Sequence, residues 1–239
     1  MHQITENTTI GELCGYEEYR PVSDYFFTNM TEDVWENPLK HYGYEKCGFE
    51  EALERVRTIL AEKIPMVYNV GAEEVKLIYM PAIGENADNK ADGKTVGKAD
   101  NKVDGSLPYV VVCPGGAYAR QWGLIEGIAV GAVWNRLGYP AFILYYRTAQ
   151  KPLLPKPIDD LAAAIRMIEE RAEEFRVEKG NYAVAGFSAG GPGGGVGDDQ
   201  PRLEPLRSSK TRRPVPRLPK RLQRRVLRCP GAGQSGRSQ

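Results

Sequence analysis

Two short apolar runs, each passing directly into a glycine-rich loop, limit most strongly how this chain can fold. Tyr109–Cys113 (YVVVC) leads into Pro114-Gly115-Gly116-Ala117-Tyr118, and Tyr182–Ala185 (YAVA) leads into Gly186-Phe187-Ser188-Ala189-Gly190-Gly191. Runs of this kind, without polar alternation, belong to strands buried on both faces, as in a parallel sheet covered by helices. The sequence between them supplies the cover. Gly127–Leu137 predicts a helix closed by Gly138 at its C-terminal cap, and Ala141–Tyr146 (AFILYY) predicts the next strand. Asp159–Phe175 predicts the strongest helix, with Leu161, Ile165, Ile168, Ala172 and Phe175 on one side and Glu169, Glu170, Glu173 and Glu174 around the rest. Strand, helix, strand, helix, strand implies right-handed crossovers and a doubly wound, mostly parallel α/β sheet. In such sheets the chemistry sits on loops at the carboxyl ends of the strands.

The flanking sequence divides the chain. Residues 1–70 read as a mostly helical and irregular N-terminal region, with an amphipathic helix at Phe49–Ala61 whose Phe49, Leu53, Val56, Ile59 and Leu60 recur at core-packing intervals. Residues 71–191 read as the α/β domain, opened by a strand at Val75–Met80 that Pro81 ends. Within it, residues 84–106 form a polar near-repeat, ADNK occurring at Ala87 and Ala99, which reads as a flexible insertion between two strands. From Pro192 the composition changes abruptly. Residues 192–239 carry ten Arg, two Lys and three acids, a charge of +9 that leaves −8 on residues 1–191, and all 22 aromatic residues precede Pro192. This Arg-, Pro- and Gly-rich tail reads as disordered.

The two loops fit the two halves of an acyl-transfer site. In Gly-x-Ser-x-Gly the turn from strand to helix is so tight that small residues must flank the serine, which presents its Oγ above the sheet. Ser188 is the candidate nucleophile. The candidate oxyanion donors are backbone N–H groups, of Ala189 after the serine and of Gly116 and Ala117 on the other loop. Phosphate cradling fits poorly, since neither G-x-x-x-x-G-K nor G-x-G-x-x-G occurs. Arg147, at the end of LYYR, reads as a substrate contact or a surface charge.

The stretch from about Leu77 to Gly191 resembles α/β-hydrolase serine esterases of the acetyl-esterase, xylan-esterase and feruloyl-esterase-like group. The resemblance rests on PGGAY, on the helix from Glu126 to Arg136 followed by LGYPAFILYYR, on PIDDLAAAIRMI at 157–168, and on GFSAGG. It implies hydrolysis of small acyl esters or acetylated carbohydrates, without metal or organic cofactor.

Such a triad runs in the chain order Ser, acid, His. This sequence has only His2 and His41, both before Ser188, while Asp198, Asp199 and Glu204 follow the serine too closely to lie beyond a further strand and helix. Relatives implied by the resemblance continue GFSAGG with His-Leu-Ala into a helix, whereas Pro192-Gly193-Gly194-Gly195-Val196-Gly197 cannot hold one. The tail has the composition of GC-rich DNA read in the wrong frame. Back-translated and read from the second codon base, it permits a string opening Leu-Ala and an apolar PFLAYP. The chain therefore reads as an incomplete, frameshifted or truncated and inactive hydrolase, with an unpaired far edge on its Tyr182–Ala185 strand.

Two other readings stay open: a serine peptidase of the same fold, and a hydrolase-like scaffold with a basic nucleic-acid-binding arm. The arm lacks aromatic residues for base stacking, which makes nucleic acid a poor partner. No window suits a bilayer span and Met1–Cys14 lacks an apolar signal stretch, so the chain reads as soluble and cytoplasmic. Cys14, Cys47, Cys113 and Cys229 show no metal or disulfide spacing and read as free thiols.

Overall fold

The structure is a computed structural model that describes residues 2–44, 48–83, 106–149, 155–190 and, for the backbone, 203–204. Residues 84–105 of the insertion expected at 84–106 and nearly all of the tail, with Gly191, Cys47 and Cys229, lie outside the described residues.

Short helices and turns come first: α1 (Ile10–Gly15), α2 (Glu32–Trp35) and α3 (Phe49–Ala61). Thr9 starts α1 through a capping box, its hydroxyl accepting from Glu12 N–H while the Glu12 carboxylate accepts from Thr9 N–H. The sheet strands follow as β1 (Val67–Val70), β2 (Ala72–Met80), β3 (Leu107–Cys113), β4 (Ala141–Tyr145), β5 (Val177–Gly186) and β6 (Leu203–Glu204), with α4 (Ala129–Arg136), α5 (Lys156–Glu170) and α6 (Ala172–Phe175) between them. Their spatial order is β1-β2-β4-β3-β5-β6. β3 pairs in parallel with both β4 and β5, and β2 is antiparallel to β1 and β4, so β1, β3, β4 and β5 run one way. This is the open, mostly parallel α/β sheet that the apolar runs imply.

Alternate side chains of the buried strands serve opposite faces. Ile78, Met80, Val110, Val112, Ala141 and Ile143 point into a core shared with α3, α4 and the N-terminal segments. Leu77, Tyr79, Tyr109, Val111, Phe142 and Leu144 point into a second core closed by Ala164 and Ile168 of α5 and by Ala172 and Phe175 of α6. Both faces are therefore covered, and residues 2–66 help to build the first cover.

The differences from the sequence reading have local causes. The Gly127–Leu137 helix starts earlier, as a π-helical turn at Gly123–Ile128 that leads into α4. Gly123, Gly127 and Gly131 share one side of this segment, and a Cβ at Gly127 or Gly131 would lie 2.7 Å from Ile143 Cγ2 or Met80 Sδ, so the helix rests directly on the sheet. The long helix after β4 breaks at Arg171, whose guanidinium lies over the Tyr68 ring and holds Glu174. The break turns Ala172 and Phe175 into the second core. β1 lies inside the region expected to be helical and irregular, a four-residue strand too short to show a period. The far edge of β5, expected to be unpaired, meets β6 in antiparallel register over two residue pairs, Val184↔Glu204 and Ala185↔Leu203.

Candidate active site

The parallel register of β3 and β5 brings the two glycine loops together. Cys113 and Gly186 are register partners at the carboxyl ends of their strands, and the Phe187 N–H donates to the Cys113 carbonyl at 3.1 Å. The chain then turns within three residues, Ser188–Gly190, closed by Gly190 N–H on the Phe187 carbonyl at 2.7 Å. Ser188 is exposed at this turn with φ +47°, a left-handed backbone that costs a residue with a side chain roughly 1–2 kcal/mol. Strain of this kind gathers at functional sites because the surrounding packing imposes it. The packing is visible at Gly190, where a Cβ would lie 2.2 Å from the Cys113 carbonyl oxygen and 2.7 Å from that of Pro114. A side chain there would force the turn off β3. This is the mechanical content of the Gly-x-Ser-x-Gly spacing.

Gly115 meets the serine from the other loop. The position of a Cβ on Gly115 lies 2.6 Å from the Phe187 carbonyl oxygen, 3.0 Å from Ser188 Cβ and 2.9 Å from Glu126 Oε2. Beyond it the backbone stays left-handed through Gly116 (φ +142°), Ala117 (+55°) and Tyr118 (+61°). Several bonds fix that shape. The Tyr146 hydroxyl donates to the Pro114 carbonyl at 2.6 Å, the Gly116 carbonyl accepts from Ala119 and Arg120, and Ala149 N–H donates to the Tyr118 carbonyl at 2.8 Å. Burial pushes the Tyr146 hydroxyl far above its usual range, so it stays a donor. Among the described residues, the N–H groups of Gly116 and Ala117 donate to no backbone carbonyl. Ala189 occupies the elbow turn itself.

Sequence reasoning missed two supports. Glu126, in the π-helical turn, accepts the Gly115 N–H at 2.8 Å, and desolvation raises its carboxyl above the usual range against the lowering effect of that bond. An acid in an otherwise apolar GLIEGI stretch was the available signal. The second support is N-terminal. Thr28 and Gln121 exchange backbone hydrogen bonds at 3.1 and 3.2 Å, Leu124 N–H donates to the Phe26 carbonyl, and the Tyr145 hydroxyl donates to the Tyr25 carbonyl. Phe27, Tyr42 and Trp122 pack ring against ring beside this bridge.

Arg147 is not a loose surface charge. Its Nε and Nη2 grip Asp160 of α5, with Nη2 to Oδ1 at 2.6 Å, and its own N–H donates to the same carboxylate at 2.9 Å. Asp160 is 3% exposed. The pair ties the β4–α5 loop, which also holds Tyr118 through Ala149, to α5. His2 binds the Glu18 carboxylate and stacks on Tyr16, and His41 lies in the turn Leu39–Tyr42. No group of three or more His, Cys, Asp or Glu among the described residues is placed to hold a metal ion, and no described helix is long and apolar enough to cross a membrane. Cys14 and Cys113 are free, and burial holds both thiols up at about 12.

Residues 98–192, spanning both loops, match the family model described as BD-FAE. The chain is 32% identical over 84 residues to Endo-1,4-beta-xylanase B of Butyrivibrio fibrisolvens, covering 34% of this chain and 13% of that protein. It is also 32% identical over 84 residues to Esterase LipC of Mycobacterium tuberculosis, covering 35% of this chain and 21% of that one. Among solved structures, MGS-M1, an alpha/beta hydrolase enzyme from a Medee basin deep-sea metagenome library, is similar at 21% identity and a TM-score of 0.41, over 52% of this chain and 47% of that chain. The chain thus spans about a fifth or less of the length of the curated relatives it matches. The segment that carries the two glycine loops is thus the part of the chain that resembles esterases of the acetyl- and xylan-esterase type.

Proposed function

We propose that the site is that of a serine carboxylic-ester hydrolase acting on small acyl esters or acetylated carbohydrates, and that within these 239 residues it is catalytically silent. The carrying observation is the exposed, left-handed Ser188 held against Gly115 of the oxyanion loop. Ser188 Oγ would attack the ester carbonyl, forming an Oγ–acyl bond. The negative charge that develops on the carbonyl oxygen would be met by N–H groups of Gly116, Ala117 and Ala189. Departure of the alcohol, which takes up a proton, leaves an acyl-serine that water cleaves. Each oxyanion donor contributes about 3 kcal/mol in enzymes of this chemistry.

The silence follows from the missing proton acceptor. A serine hydroxyl is a weak nucleophile without an adjacent base, and no histidine follows Ser188 in the sequence. The break in composition at Pro192, directly after the elbow, supports a shift of reading frame near the Gly191 codon. The test uses p-nitrophenyl acetate and a fluorophosphonate probe on two proteins: this chain, and the product of coding DNA in which one base near that codon restores the frame. The restored product should hydrolyse the ester and label, with both lost in Ser188→Ala, while this chain does neither. A restored product whose turnover survives Ser188→Ala would overturn the esterase reading. Ser188-dependent labelling of this chain would overturn its silence.

A further inference from the structure

We propose that Glu126 is a positioning residue that sets the oxyanion loop, so that its ionisation controls how firmly the loop is held against Ser188. The inference rests on the esterase reading for what the loop is for, and on geometry for the rest. Glu126 Oε2 accepts the Gly115 N–H at 2.8 Å. The same glycine is the point where the two halves of the site touch, with Ser188 Cβ and Glu126 Oε2 both within 3.0 Å of where a Gly115 Cβ would stand. Spending the Gly115 amide on a carboxylate rotates that peptide toward the π-helical turn and leaves the next two amides, of Gly116 and Ala117, for an oxyanion. The turn itself is anchored, because Glu126 N–H donates to the Trp122 carbonyl and Leu124 N–H to the Phe26 carbonyl. Glu126 therefore transmits the position of the N-terminal segment to the loop through one charge-assisted hydrogen bond, about twice as strong as its neutral counterpart.

The titratable group facing Glu126 from the end of β4 is Tyr146, which sits beside Cys113 and Tyr118. Burial keeps the Tyr146 phenol and the Cys113 thiol protonated through neutral pH. Across the acidic-to-neutral range Glu126 is thus the member of this cluster that changes charge. Its carboxyl is raised by desolvation, so the bond to Gly115 is weakened at a higher pH than an ordinary carboxylate would set.

Amide hydrogen exchange of the full chain, read by mass spectrometry on fragments covering 113–118 and corrected for intrinsic exchange, tests this. At pH 7 the Gly115 amide should exchange at least tenfold faster in Glu126→Ala, with Glu126→Gln intermediate. Protection in the unsubstituted chain should fall as the carboxyl is protonated, and protection in Glu126→Gln should be flat with pH. A purely structural role would lower protection in the variants without that pH step. Should Glu126→Ala not fold, the comparison of the unsubstituted chain with Glu126→Gln decides. Flat protection in the unsubstituted chain, or unchanged exchange in both variants, overturns the proposal. The readout needs no chemistry at Ser188, so its failure leaves the esterase reading intact, and a failed restoration of ester hydrolysis leaves this result intact.

Discussion

Gly115→Ala should disturb both glycine loops at once, and its cost can be worked out against an internal control. The added Cβ would lie 2.6 Å from the Phe187 carbonyl oxygen, 2.9 Å from Glu126 Oε2 and 3.0 Å from Ser188 Cβ. The first is a backbone atom held by the elbow turn, so β3 and β5 must separate there or the Pro114–Tyr118 loop must lift. Overpacking of this kind costs about 1–3 kcal/mol, and weakening the bond from Gly115 N–H to a carboxylate adds about 1 kcal/mol. The sum is about 2–4 kcal/mol. Gly138→Ala is the control: Gly138 caps α4 at φ +83° with nothing within 4 Å of its Cβ position, so only backbone strain of about 1 kcal/mol applies. Urea unfolding of both variants, with exchange across 113–118 and 186–190, separates the two costs. If Gly115→Ala costs no more than Gly138→Ala, or loosens both loops no more than it does, the reasoning that close approach shapes this site is wrong.

Glu126→Gln should raise stability at pH 7. A carboxyl whose pKa is raised on folding binds protons more tightly in the native state, so its penalty is absent well below 4.5 and complete once pH exceeds the raised value. The gain in melting temperature should accordingly shrink to nothing as pH falls well below 4.5, and an equal gain at pH 7 and at that acidic end would refute the assignment. Tyr109→Phe should be neutral or stabilising by up to about 1 kcal/mol in chemical denaturation, because its buried hydroxyl has no hydrogen-bond partner among the described residues. Phe142→Ala, which removes a fully buried ring packed against Tyr79, Tyr109 and Phe175, should cost about 3–5 kcal/mol, and a loss under 1 kcal/mol would mean that the second core is not closely packed.

The parallel core of the sheet was legible because β3, β4 and the end of β5 are apolar without alternation, a pattern few other environments produce. Ser188 was legible for a mechanical reason, since a sharp turn after a buried strand excludes side chains on both sides of the serine. Gly116 and Ala117 could be named because the second loop follows the neighbouring strand of the same sheet. Glu126 and the Tyr25–Thr28 segment were not legible. Their roles depend on which backbone groups of the loop are left to satisfy, and that is decided by contacts across 11 residues in one case and up to 120 in the other. The partner of Arg147 was missed for a related reason. From sequence a strand-end arginine faces water, and only the packing of α5 places Asp160, 13 residues on, against it.

The structure also separates the shape of a nucleophile from its reactivity. The strain at Ser188 is imposed from one side, by the Cys113 and Pro114 carbonyls that exclude a Cβ at Gly190 and by Gly115 pressing on Phe187 and Ser188. The described bonds and close approaches that set this geometry come from residues at or before Gly190. An elbow can therefore form on a chain whose composition changes immediately afterwards, because geometry needs only the sheet and the preceding loop. Reactivity needs a proton acceptor as well, and in this fold the base comes later in the chain than the serine. A frame lost near Gly191 would thus remove nearly all the chemistry while leaving the local fold that betrays it, and one such break would account for both a retained match to esterase sequences and an absent later histidine.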